Sequence, residues 1–91
     1  MGEIAERLQK KLESAFKPLR LEIQDDSAKH SGHSGAREGG ESHFSVVIVS
    51  QAFEGLNRVA RQRLVNQALS EELAGPVHAL ALKTLTPDEA V

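Results

Sequence analysis

His43-Phe44-Ser45-Val46-Val47-Ile48-Val49-Ser50 is the stretch that decides the fold. Val46 to Val49 are apolar and largely β-branched at consecutive positions, so both faces of the strand they form are apolar. A strand covered on both sides belongs in the middle of a sheet. Upstream, Leu19, Leu21 and Ile23 alternate with Arg20, Glu22 and Gln24. Period two predicts a strand with one buried face. Between the two strands the apolar signal vanishes from Asp25 to Glu41, leaving a flexible Gly-, Ser- and His-rich loop over 26–41. Loops of that length in compact domains are functional or disordered, and strands joined through it form an antiparallel ribbon. Further upstream, Ile4, Leu8, Leu12 and Ala15-Phe16 recur at helical spacing. They predict an amphipathic helix from Glu3 to Phe16, stopped by Pro18.

Downstream of Ser50, Phe53-Glu54-Gly55 makes a turn, and Asn57 is placed to cap a helix running to about Leu73. Leu64, Val65, Ala68, Leu69 and Leu73 hold one face of it, while Leu56, Val59 and Ala60 fall out of phase. Either a short first helix precedes a second, or the first turns pack against something different. Gly75-Pro76 ends the helix, and Val77 to Leu85 read as a third strand. In that strand His78, Leu80 and Leu82 share one side and Val77, Ala79 and Ala81 the other. Thr86-Pro87-Asp88-Glu89 carries a helix-start signature, with Thr86 at the N-cap and Glu89 three residues on. The expected architecture is α+β in the order α-β-β-α-β. A three-stranded sheet carries its helices on one face, in a single domain over residues 1–91.

Composition narrows the chemistry. The 91 residues contain no cysteine, which excludes a disulfide framework, a thiolate nucleophile and any Cys-held metal centre built by this chain alone. Net charge is −2, which argues against a globally basic nucleic-acid binder but leaves room for a local patch. Three phenylalanines are the only aromatics of the Phe, Tyr and Trp set, too few for a stacking groove on single strands. No stretch approaches the ~20 apolar residues of a bilayer span. Met1-Gly2 opens a myristoylation pattern that Glu6 spoils. The expectation is a cytoplasmic protein away from membranes, monomeric when alone.

The residues that could carry chemistry are four histidines and three arginines. His78 lies at the start of the third strand, a rigid position suited to a metal ligand. His30 and His33 lie in the loop; His43, just before an apolar run, reads as structural. A zinc site from His30-x-x-His33 would need His43 and His78 to converge on it. Arg58, Arg61 and Arg63 fall in a stretch with no acid from Gly55 through Ser70. On a helix Arg58 and Arg61 share a face and Arg63 points elsewhere. Gly32-His33-Ser34-Gly35 spells a GxxG loop, but between two strands rather than two helices. No catalytic set is expected: Ser42 and His43 would point to opposite faces of a strand. The acid pairs Asp25-Asp26 and Glu71-Glu72 have no apparent apolar cleft to perturb them.

Taken together, Glu41 to Ser50, Phe53-Glu54-Gly55, Arg61-Gln62-Arg63-Leu64-Val65 and Val77-His78-Ala79-Leu80 resemble the BolA family, in order and over nearly the whole chain. One departure is Gln62, where the family commonly has histidine between two arginines. The resemblance implies a fold similar to class II KH domains and a partnership with monothiol, CGFS-type glutaredoxins. It further implies a shared [2Fe–2S] cluster, with the glutaredoxin cysteine and bound glutathione supplying sulfur, serving iron–sulfur trafficking or iron sensing. A chain without cysteine can offer only imidazole nitrogen to such a cluster. His78 and His30 match the family's positions, with His33 as the alternative loop ligand. Some bacterial members are DNA-binding regulators of shape and stress genes. The alternative reading is therefore a transcriptional regulator contacting DNA through Arg58, Arg61 and Arg63.

Overall fold

The computed structural model describes residues 2–26 and 43–90. The chain runs α1 (Glu3–Phe16), β1 (Arg20–Asp25), β2 (His43–Val49), a 3-10 turn (Gln51–Phe53), α2 (Arg58–Ala68), α3 (Ser70–Ala74) and β3 (Ala79–Leu85). The strands lie in the order β1-β2-β3, with β2 in the centre, antiparallel to β1 and parallel to β3. A parallel neighbour demands a crossover connection, and the segment containing α2 and α3 supplies it. The α+β class and the element order are those the sequence predicts.

The core lies between the helices and one face of the sheet. Ala5, Leu8, Leu12 and Phe16 of α1 are buried against Phe44, Val46 and Ile48 of β2, with Phe53, Val65, Leu69 and Val77 closing the cluster. Phe16 and Phe53 meet at a ring-centroid distance of 5.3 Å in a tilted pair. The other face of β2 is only partly covered: Val49 is buried, but His43, Ser45 and Val47 are half-buried, and Val47 is flanked in register by Glu22 and Lys83. The centre of the sheet is thus the right place for β2, but it arises from pairing on both edges.

Each element ends for a local reason. Lys17 turns left-handed (φ 45°) and its N–H bonds Glu13 O, after which Pro18 forbids a further turn. The fully buried Ser50 hydroxyl donates to Phe16 O at 2.7 Å and accepts from Ala52 N at 3.0 Å, tying α1, β2 and the 3-10 turn together. Gly55 takes φ +79°, and the Asn57 side chain accepts from Ala60 N at 2.9 Å, the expected cap of α2. The helix expected to reach Leu73 breaks instead at Leu69, between α2 and α3. The out-of-phase residues near Ala60 mark no break: Val59 simply faces outward, exposed.

Candidate functional site

His78 does not lie in β3. Val77 is buried, its N–H bonds Glu72 O at 2.9 Å, and the strand begins only at Ala79. The alternation expected from Val77 onward therefore fails at its first two residues. His78 is exposed and its ring stacks on that of His43, with centroids 6.4 Å apart and planes 19° apart. The cause is register: His43 opens β2 and pairs with Ala79, so the residue before Ala79 comes alongside His43. His43, read from sequence as structural, thus stands beside the candidate ligand. The same end of the sheet is where the long loop departs. Asp26 N–H bonds His43 O at 2.7 Å, and the Asp26 carboxylate accepts from the Ser45 hydroxyl. His30 and His33 lie outside the described residues.

The turn that presents His78 is anchored by a buried acid. Glu72 is 0% exposed, and its carboxylate accepts from Arg7 Nη2 at 2.8 Å and Lys11 Nζ at 2.9 and 3.0 Å. Burial alone would raise its pKa, but the hydrogen bond and charge of Lys11, a backbone N–H and the Arg7 charge outweigh it. The carboxyl is held below its ordinary value, and ionised. The expectation that Glu71-Glu72 lacks a burying environment is corrected here: Glu71 is exposed, Glu72 is enclosed by α1. A signal existed in the sequence. Arg7 and Lys11 lie four apart on α1, flanking the apolar stripe at Leu8 and Leu12, and such a pair of cations calls for an acid. Since Glu72 O also holds Val77 N–H, the helix at the start of the chain fixes the residue next to His78.

The three arginines separate. Arg58 and Arg63 are exposed. The Arg61 side chain is only 12% exposed and turns inward: Nε donates to Leu56 O at 2.9 Å, and Nη1 to Thr84 O at 3.2 Å and Glu89 Oε1 at 2.6 Å. Glu89 also accepts from Thr86 N at 2.9 Å, and its own N–H reaches the Thr86 hydroxyl at 3.4 Å. This is the reciprocal capping arrangement that Thr86-Pro87-Asp88-Glu89 predicts. Arg61 and the Thr86 N–H hold the Glu89 carboxyl down at about 2. Arg61 is thus a strut between α2, β3 and the last turn.

Among the described residues no three His, Cys, Asp or Glu side chains are grouped to hold a metal ion. No helix among them is long and apolar enough to cross a membrane.

Comparison with known proteins places the chain in a family. The pattern of the family described as BolA-like protein matches residues 12–89. BolA-like protein 1 of Bos taurus is 47% identical over 87 residues, 96% of this chain and 62% of that protein. The DNA-binding transcriptional regulator BolA of Vibrio cholerae is 45% identical over 86 residues, 94% of this chain and 77% of that protein. Among solved structures, the BolA domain of SufE1 from Arabidopsis thaliana superposes with a TM-score of 0.87 at 40% identity, covering 98% of each chain. The chain spans about three-fifths of the length of the bovine protein. With the family pattern over most of its length and relatives near 46% identity across nearly all of it, the chain belongs to the BolA-like protein family.

Proposed function

We propose that this protein is an adaptor that docks a monothiol CGFS-type glutaredoxin and lends imidazole nitrogen to a [2Fe–2S] cluster shared with it and glutathione. One observation carries the reading: His78 is exposed at the mouth of β3, on a turn fixed by Glu72, with a second imidazole beside it. A ligand held by rigid surroundings binds metal with little ordering cost. The donor set suits half a cluster. Histidine replaces thiolate at iron in Rieske centres, and this chain has no sulfur to offer except Met1. The chain that follows Asp26 carries two further imidazoles, His30 and His33. His30 is four residues on, and four peptide units span at most ~14 Å. When bound, the cluster supplies iron that a partner can accept or sense; this chain contributes ligation and docking.

Anaerobic purification with a CGFS glutaredoxin should yield a complex containing iron and sulfide in equal amounts. Adding this protein to cluster-loaded glutaredoxin should change the visible circular dichroism. His78→Ala should abolish most of that change, and a spectrum identical to wild type would remove His78 from the site. His30→Ala against His33→Ala identifies the loop ligand. Because only neutral imidazole ligates, acidification should release the cluster.

A second reading is favoured by the Vibrio cholerae relative, named a DNA-binding transcriptional regulator, and by the outward-facing Arg58 and Arg63. In it α2 lies along DNA phosphates. Arg61, occupied by Glu89, contributes no free charge to that face.

A further inference from the structure

His43 and His78 meet at one end of the sheet, and their backbones are held in different ways. His43 opens the central strand and is tied on both sides. Asp26 N–H bonds its carbonyl at 2.7 Å from the β1 side, and Ala79 pairs with it from β3. The residue is half-buried. His78 sits between Val77, whose N–H bonds Glu72 O at 2.9 Å, and the first residue of β3. Its backbone is therefore fixed on either side, while its side chain is exposed.

An imidazole that is to bind metal must first be oriented. In most metal sites a carboxylate or carbonyl does this by accepting the N–H of the ring's other nitrogen. Among the described residues no hydrogen bond or ion pair holds the His78 ring. Ala79, which follows it, is exposed and too small to form a wall. What does face the ring is the imidazole of His43, with centroids 6.4 Å apart and planes 19° apart. Offset ring pairs are favourable at centroid separations of about 4.5–7 Å, and this pair is toward the wide end. A bias of roughly two- to fivefold toward one His78 rotamer follows.

We propose that His43 is a positioning residue of the histidine site: its ring, carried on the central strand, holds the His78 ring in one rotamer before iron arrives. The role rests on His78 being a cluster ligand, as read above. It asks of residue 43 a flat ring rather than a nitrogen, and the β2–β3 register delivers that ring to the right place. The gain is preorganisation. If a single rotamer ligates, the apparent affinity scales with its population. Loss of the rotamer bias and loss of binding must then be the same factor.

Two measurements on three proteins test this: the full chain as it stands, His43→Ala and His43→Phe. In the chain alone, NMR couplings between the His78 Hα and Hβ protons report its rotamers, and the amide signals of β2 report that each variant is folded. One dominant rotamer is expected in wild type and in His43→Phe, and averaging in His43→Ala. Each protein is then titrated into cluster-loaded glutaredoxin and followed by visible circular dichroism. His43→Ala should bind roughly two- to fivefold more weakly. The shape of its spectrum should not change, because the ligands do not. His43→Phe should recover most of that loss. Unaltered His78 couplings in a folded His43→Ala overturn the proposal. So does a His43→Phe that binds as weakly as His43→Ala, since the nitrogen of His43 would then be the acting group. A His78→Ala spectrum identical to wild type sinks the cluster reading instead, and with it the role, whatever ring contact the couplings report without glutaredoxin.

Discussion

Glu72 shows how much one side chain can decide. A carboxylate with no exposure is costly unless fully paired, and here two cations of α1 and its own backbone pair it. Glu72→Gln should destabilise the protein by about 1–3 kcal/mol at pH 7, less than a fully buried pair because Arg7 and Lys11 stay partly in water. The pH sign follows from the lowered folded pKa. The stabilisation is fully present above the unfolded value near ~4.3 and is lost as pH falls through the folded one. Urea titrations of wild type and Glu72→Gln should therefore converge in strong acid and differ at neutrality. An equal difference at every pH would mean that shape, not charge, is what Gln fails to replace. The sequence showed the need, in Arg7 and Lys11 four apart on α1, but not which acid meets it, because an acid in a Glu-Glu pair looks solvated until the helix facing it is known. His78 was legible as a residue to watch. Its neighbour was not, because His43 meets it only through strand register.

At the scale of elements, local signals read well and long-range ones did not. The Pro18 stop, the Asn57 cap and the Thr86–Glu89 box depend on neighbours in sequence, and all three appear as read. The break at Leu69 has no such marker. Leu69 and Leu73 keep helical spacing across it, and the Leu73 N–H still bonds Leu69 O at 2.9 Å. The apolar run Val46–Val49 misled in a different way, since β-branched residues suit a pleated surface whether or not both faces are covered. The last turn gives a test of its own. Arg61 joins three elements through Glu89, whose carboxyl at about 2 stays charged far into acid. Glu89→Gln should accelerate hydrogen exchange at the Thr86 amide at neutral pH and leave exchange in β2 unchanged. In wild type the same loosening should appear only as pH falls through about 2, the folded value. Thr86 exchange that ignores the substitution would show that the turn holds without its strut.

For the whole molecule, charge decides what α2 can do. The net charge is −2, so any DNA affinity comes from a local surface with Arg58 and Arg63 outward and Arg61 withheld. A few phosphate contacts give a shallow salt dependence, and log affinity falls by about 0.9 per contact per decade of salt on duplex DNA. Gel-shift titrations at two salt concentrations should therefore give a slope of about two. Arg58→Gln should lower it by about one, whereas Arg61→Gln should leave the slope alone and cost stability. A slope near zero would discard DNA as a ligand of this face.

The Asp26–His43 bond and the Asp26–Ser45 contact close the β1–β2 ribbon before the chain leaves it. Whatever length of polypeptide is spliced between those two residues, the pairing behind them is already locked. Doubling a tether's length costs only about 0.6 kcal/mol in closure entropy. Evolution, or a protein engineer, therefore has one place to trial new metal donors, spacings and charges next to His78 while the scaffold keeps its shape.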